Sequence, residues 1–389
     1  MSAALRVADV IRSCWEAYDR GKRLAPHVVK AVRHILDCRT KALGGHIHEC
    51  DRCGSEVPMY NSCQDRHCPT CQTSAKEKWL AKRREELLPV QYFHSVFTVS
   101  HDLNGLIEAN RTLLLGELFG AVNWVLQRFA RDPRWRLEGE LGFLALLHTW
   151  DQRLHTHFHL HCIVPGGVWR EQTAEWIPCR SRWLFRKDSL AIAFRNRYVK
   201  RLKALRRLGK LRFTGPAATL AAQAAWDALI DKVENQTWVV YPKPAPAGAE
   251  KALDYLARYT HKVAISDHRI VSFDQGVVTY TWRDRQDGNT VKTAQLTAEA
   301  FTQRFCSHIL PKGFVKIRYY GWLSAAKRKT ALPAILATLS VPPPEAPPEQ
   351  PLAERILERT GIDITRCPHC ANGHLRNTGI VIPPQRGPP

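Results

Sequence analysis

The stretch His155-Thr156-His157-Phe158-His159-Leu160-His161-Cys162-Ile163-Val164-Pro165-Gly166-Gly167 leaves the chain the fewest structural options. Its four histidines alternate with other residues. A β-strand repeats every two residues, so a strand here sends all four imidazoles to one face. Phe158, Leu160 and Cys162 then fall on the opposite face, which needs a hydrophobic core. Pro165-Gly166-Gly167 is a turn that ends the strand. A row of neutral imidazoles is a platform for a divalent cation. Two chemistries use such a strand. One is a His-hydrophobic-His site, completed by a third ligand, that holds Mg²⁺ or Mn²⁺ while a tyrosine attacks a phosphodiester. The other is a histidine-triad hydrolase, in which a histidine is the nucleophile and no metal is needed; His157 to Ile163 fits that pattern literally.

The discriminating feature is Asp254-Tyr255-Leu256-Ala257-Arg258-Tyr259-Thr260-His261-Lys262. Its spacing predicts a helix from about residue 250 to 261, with Tyr255 and Tyr259 one turn apart on one face. Packing is the ordinary use of such a pair. Chemistry has a specific use for it: one phenol holds a DNA end as a 5′-phosphotyrosine while the other cuts again or receives the target. A free phenol titrates near 10, so the phosphate itself needs activation. Arg258 and Lys262 suit phosphate positioning.

Cysteine placement points to zinc. Of the 12 Cys, Cys38, Cys50, Cys53, Cys63, Cys68 and Cys71 crowd one N-terminal segment. Cys50-x2-Cys53 and Cys68-x2-Cys71 read as two knuckles that together complete one closed, structural tetrahedral site. Cys38, His46, Cys63 and His67 lie close enough in sequence to supply a second ion. Cys367-Pro368-His369-Cys370 is half a site, with His374 or another chain as its nearest partner.

With 57 Lys and Arg against 36 Asp and Glu, the formal charge of +21 favours a polyanionic partner. Residues 195–212 carry basic side chains without an acidic one. There an apolar stripe (Leu190, Phe194, Tyr198, Leu202, Leu205, Leu208) packs inward, leaving Lys200, Arg201, Lys203, Arg206 and Arg207 for phosphates. Trp79, Trp135 and Trp183 lie among basic residues and are candidates for stacking on bases; Lys243 and Lys312 are further candidate contacts. No run is apolar enough for a membrane span and no signal-peptide layout opens the chain, so a cytoplasmic location is expected.

Elsewhere, residues 1 to about 37 and 75 to 88 read as helical, and Leu106 to Phe129 as one long helix or two. Strands are expected at Gln91–Val99, Gly142–Trp150, His157–Val164, Gln236–Tyr241 and Phe314–Tyr319. Arg269–Phe273 and Val277–Trp282 read as a hairpin across Asp274-Gln275-Gly276. Val341 to Pro351 is a Pro-rich linker, and a flexible tail is expected beyond it.

Taken together, these pieces resemble the HUH-type, two-tyrosine rolling-circle transposases of bacterial insertion sequences. The resemblance rests on Asn61 to Cys71, Phe93 to Asn104, His148 to Gly167, Trp238 to Pro244, Tyr255 to Ser266 and Leu310 to Gly321, and covers roughly residues 5 to 325. It implies that His159 and His161 bind the metal and that Tyr255 and Tyr259 are the nucleophiles. His148, Gln152 and His157 are candidates for the third ligand, with His157 preferred. Asp151 stands where the family pattern has Gly, and Phe158 where it has Pro. The expected architecture is α+β: a helical, zinc-knuckle DNA-binding module over 1–88, a nickase-like antiparallel sheet flanked by helices over 89–330, and a Pro-rich linker and tail over 331–389. The expected partner is DNA, mainly single-stranded element ends. No Gly-rich phosphate loop of a helicase is visible, so a host factor, such as a helicase, replication or supercoiling would separate the strands. The rivals are a rolling-circle replication initiator or relaxase with the same chemistry, a histidine-triad nucleotidyl hydrolase fused to a zinc finger, and a non-enzymatic zinc regulator.

Overall fold

A computed structural model describes residues 5–180, 184–245, 251, 263–342, 350–370 and 372–384. Its centre is a five-stranded antiparallel sheet. The strands are β3 (Tyr92–Thr98), β4 (Phe143–Trp150), β5 (Thr156–Pro165), β8 (Val240–Pro244) and β12 (Ile317–Tyr320), in the order β12-β4-β5-β3-β8. The histidine stretch is thus the middle strand, bonded to β4 on one side and β3 on the other.

Alternation along these strands builds two unlike faces. Phe93 and Phe97, Phe143 and Ala145, and Phe158, Leu160 and Cys162 are fully buried on one face, in a single core with helices α5 (Arg111–Arg131) and α6 (Lys187–Arg207). Burial of each such large side chain stabilises the fold by about 1.5–3 kcal/mol. The Tyr198 hydroxyl, sealed in that core, donates to the Leu114 carbonyl at 3.1 Å. The opposite face carries the histidines. Beside them Tyr92, Leu144, Leu146 and Ile163 pack with Leu80 of helix α3 (Gln72–Arg84) and with Ala245.

The N-terminal helices α1 (Val7–Gly21) and α2 (Pro26–Asp37) share a second core with a hairpin sheet and its following helix. That sheet runs β11-β10-β9, from β9 (Ile270–Asp274), β10 (Val277–Asp284) and β11 (Thr290–Thr297), and leads into α8 (Ala298–Ser307). Gln275 and Gly276 both have positive φ (46° and 76°), the conformation a two-residue hairpin turn needs.

The strand in Gln236–Tyr241 begins later than expected, at Val240, and the one in Phe314–Tyr319 begins at Ile317. Leu106–Phe129 is two helices, α4 (Asn104–Ala109) and α5. The helix expected at 250–261 lies outside the described residues, except for Lys251.

The C-terminal region is not a free tail. After α9 (Arg328–Thr338) and α10 (Leu352–Thr360), residues Leu375–Val381 form strand β13. It pairs antiparallel with β1 (Gly45–Cys50), which also pairs with β2 (Glu56–Tyr60), giving a sheet of order β13-β1-β2. No helix among the described residues is long and apolar enough to cross a membrane.

Candidate active site

His148, His159 and His161 bring one ligand nitrogen each to within 4.8 Å of one another, and all three are buried. Register explains the set. Residues i and i+2 on one strand stand nearly 7 Å apart, so three histidines in a row along β5 do not reach one ion. The third imidazole comes from the neighbouring strand, where His148 pairs directly with His159. This corrects the expectation for His157. Its Nδ1 instead meets His101 Nε2 at 2.6 Å, and it lies outside the converging group.

The hydrogen bonds favour metal-ready tautomers. His159 Nδ1 lies 3.0 Å from the carbonyl of His157, which can only accept, so the proton sits on Nδ1 and Nε2 keeps its lone pair. His161 Nδ1 lies 2.8 Å from Nε2 of buried His94. If His161 ligates through Nε2, its Nδ1–H donates to His94. Burial, then the neighbouring imidazole of His148, holds both His159 and His161 well below the usual histidine range. Arg285, at the tip between β10 and β11, acts in the same direction. Burial, with Lys243 nearby, pushes His94 down to about 3. His159 and His161 are thus held neutral at ordinary pH, as cation binding requires.

The cysteines group in an unexpected way. Cys38, Cys63, Cys68 and Cys71 form one cluster; Cys50, Cys53, Cys367 and Cys370 form another. The single site expected from Cys50, Cys53, Cys68 and Cys71 is therefore wrong. Strands β1 and β2 form a hairpin, and the Cys50 knuckle sits at its tip while Cys38 and Cys63 flank its base. One strand length, roughly 17–20 Å, separates the two ends. His46 and His67 join neither cluster. His67 Nδ1 meets Asp65 at 3.0 Å, and its Nε2 accepts from the Leu310 amide; His46 lies against Asn377.

Two family profiles match this layout. One, described as "Putative transposase", spans residues 142–330 and contains all three converging histidines. The other, described as "Transposase zinc-binding domain", spans residues 10–99 and contains the Cys38 cluster. The chain is 39% identical over 389 residues to the "Putative transposase y4qJ" of Sinorhizobium fredii, covering 97% of each. The chain belongs to the two-tyrosine, IS91-type transposases of insertion sequences. The transposase is also 26% identical, over 92% of its length and 85% of the relative's, to the transposase for insertion sequence element IS801 of Pseudomonas savastanoi pv. phaseolicola. No solved structure matches it.

Four of the residues singled out from sequence, Tyr255, Arg258, Tyr259 and Lys262, lie outside the described residues, as does Trp183. Their flanks are described. Ala245 packs on the histidine side of the sheet, and Val263 lines a small pocket with Trp150, whose ring stacks on His148 at 4.6 Å between centroids.

Helix α6 packs on the other face of the sheet, away from the histidines. Much of its basic surface is engaged inside the fold. Arg201 makes two 2.8 Å bonds to Glu117, and Lys203 meets Glu234 at 2.6 Å. Arg206 donates to the Leu220 and Ala221 carbonyls and lies over Phe213 and Trp226. Lys200 and Arg207 remain exposed. The free phosphate-facing set expected on this helix is thus smaller than its sequence suggests. Trp79 Nε1 meets the Tyr319 hydroxyl, and Trp135 stacks on Phe129, so both have partners within the fold.

Sequence reasoning missed His94 and Arg285. A single histidine in the apolar strand Gln91–Val99 reads as packing, and only its pairing with His161 gives it a task. Arg285 sits in a polar turn, and nothing local marks it.

Proposed function

We propose that this transposase cleaves and rejoins single-stranded DNA at the ends of its element through 5′-phosphotyrosine bonds on Tyr255 and Tyr259. The observation that carries the reading is the convergence of three buried imidazoles, His148, His159 and His161, on one point of the central sheet. The donor set fits a divalent cation that tolerates nitrogen ligands. Three imidazoles suit Mn²⁺ better than Mg²⁺, which prefers oxygen and holds its waters tightly. Such a cation, when bound, draws charge from the scissile phosphate.

The remaining work falls to the chain. A tyrosine oxygen attacks phosphorus, the bond to the 3′ oxygen breaks, and that oxygen leaves as a 3′-hydroxyl. The phosphodiester energy is kept in the new phosphotyrosine, so rejoining is the same step in reverse and needs no ATP. A second tyrosine lets a second end be held while the first waits. Ala245, which precedes the tyrosine segment, packs on the histidine side of the sheet, and this supports the pairing of the two motifs. Arg285 is suited to hold a phosphate beside the histidines. Zinc in the N-terminal module is structural, since four thiolates leave no open position. Single strands would come from a host factor, replication or supercoiling.

Replacing His148, His159 and His161 by Ala tests this reading. Cleavage of a labelled single-stranded element end in Mn²⁺ should fall by at least about 100-fold. Salt-sensitive binding of the same DNA should be unchanged, because phosphate contacts by basic residues carry it. Cleavage that survives the triple substitution would remove the metal from the mechanism.

A further inference from the structure

The zinc-binding family match ends at residue 99 and contains Cys50 and Cys53, while its other pair, Cys68 and Cys71, belongs to the Cys38 cluster. Cys367 and Cys370 come to that half-site from the other end of the chain. We infer that Cys50, Cys53, Cys367 and Cys370 form a second, closed zinc site that clasps the C-terminal segment to the N-terminal module.

The distances are those of a zinc tetrahedron. Cys50 Sγ lies 3.6 Å from Cys370 Sγ, and Cys53 Sγ lies 3.8 Å from Cys367 Sγ. A zinc ion with Zn–S bonds of about 2.3 Å has tetrahedron edges of roughly 3.8 Å. A disulfide would bring its sulfurs to about 2.05 Å. The first cluster shows the same spacing, 3.7 Å between Cys63 and Cys71.

Both halves have the form of a knuckle. The amides of Arg52 and Cys53 point at Cys50 Sγ at 3.4 and 3.5 Å, and the amide of His369 points at Cys367 Sγ at 3.3 Å. Amide donors aimed at sulfur offset thiolate charge. Gly54, with φ at +66°, turns the chain after the first knuckle. Gly373 presses against Cys50, where a Cβ would come within 2.3 Å of the sulfur, so only glycine allows the two segments so close.

The backbone supports the same junction. β13 pairs with β1 from Gly45↔Val381 to Cys50↔Leu375. The Asp51 amide donates to the His374 carbonyl at 3.0 Å, and the His374 amide donates to Asp51 Oδ1 at 2.8 Å. The Cys367 amide donates to the Gly373 carbonyl at 2.8 Å. A short edge strand with few apolar contacts holds poorly by itself. A metal cross-link at its start would fix it, and the returning segment then completes the sheet of the zinc-binding module.

Zinc counting and thiol protection on the full chain test the clasp. Cobalt substitution isolates the thiolate sites, because the three-histidine site gives no sulfur-to-cobalt charge-transfer band. Cys367→Ser/Cys370→Ser should lose one metal equivalent and about half of that band, while keeping the equivalent held by the Cys38 cluster. Cys50→Ser/Cys53→Ser should lose the same equivalent, and combining all four substitutions should lose no more. In the unmodified protein, alkylation followed by peptide mass spectrometry should find Cys50, Cys53, Cys367 and Cys370 protected together and released together by a chelator. The proposal fails if the tail variant keeps both equivalents, if the combined variant loses two, or if Cys367 and Cys370 are alkylated while Cys50 and Cys53 stay protected.

Discussion

His94 never reaches the converging point of the histidines, yet it meets His161 at 2.8 Å and sets which nitrogen of that ring is free. Partners of this kind typically change metal affinity by about 10–100-fold. His94→Phe should weaken Mn²⁺ binding by that order, measured by calorimetry, and His94→Gln should recover part of the loss. An unchanged affinity in His94→Phe would make the contact packing alone. His308 offers a second test at this scale. Its Nε2 donates to the Leu154 carbonyl at 3.1 Å and its Nδ1 faces the Thr149 hydroxyl at 3.2 Å. Burial pushes it down to about 4. The unfolded chain takes up its proton near 6.5 and the folded chain does not, so this histidine's effect runs one way. Stability is full above about 6.5 and is lost as pH falls towards about 4, by at most ~1.4 kcal/mol per pH unit. Unfolding midpoints between pH 7 and 5 should fall, and His308→Gln should flatten the slope.

Helix α6 shows where reading an element from sequence succeeds and where it stops. Its stripe of Leu190, Phe194, Tyr198, Leu202 and Leu205 is the buried face, as the periodicity requires, but Leu208, expected in the same stripe, lies past the helix end and is exposed. The opposite face is not simply open, because Glu117, Glu234 and the Leu220 and Ala221 carbonyls come from distant parts of the chain to meet it. Lys200→Ala and Arg207→Ala should each lower the slope of log binding constant against log salt by about 1, if these residues touch phosphate. Arg201→Ala should instead lower stability by about 1–3 kcal/mol and leave the slope alone, since it strands the half-buried Glu117. A reversed pattern would put the DNA on the Arg201 side. The strands tell the same story. β5 was legible because alternation is a local signal, and so was the hairpin at Gln275-Gly276. Strand β13 was not, because its pairing joins residues 45–50 to residues 375–381 and no local pattern records it. The zinc grouping was missed for the same reason. The unused signal was the count: Cys38 and Cys63 with three Cys-x2-Cys pairs make eight ligands, which is two tetrahedra.

Across the whole molecule, the candidate metal sites are built where separate pieces of chain meet. β4 and β5 meet at the histidines, and the two chain ends meet at Cys50 and Cys367. A formal charge of +21 surrounds both and suits a partner made of phosphates. The third convergence, of Tyr255 and Tyr259 on the histidine centre, is the central claim of the mechanism. Incubation of the transposase with a labelled single-stranded element end and Mn²⁺, followed by denaturation and peptide mapping, tests it most directly. A DNA-linked peptide carrying Tyr255 or Tyr259, absent after Tyr255→Phe/Tyr259→Phe, is the predicted result. An adduct on a histidine of β5, or one undiminished in the double variant, would contradict it.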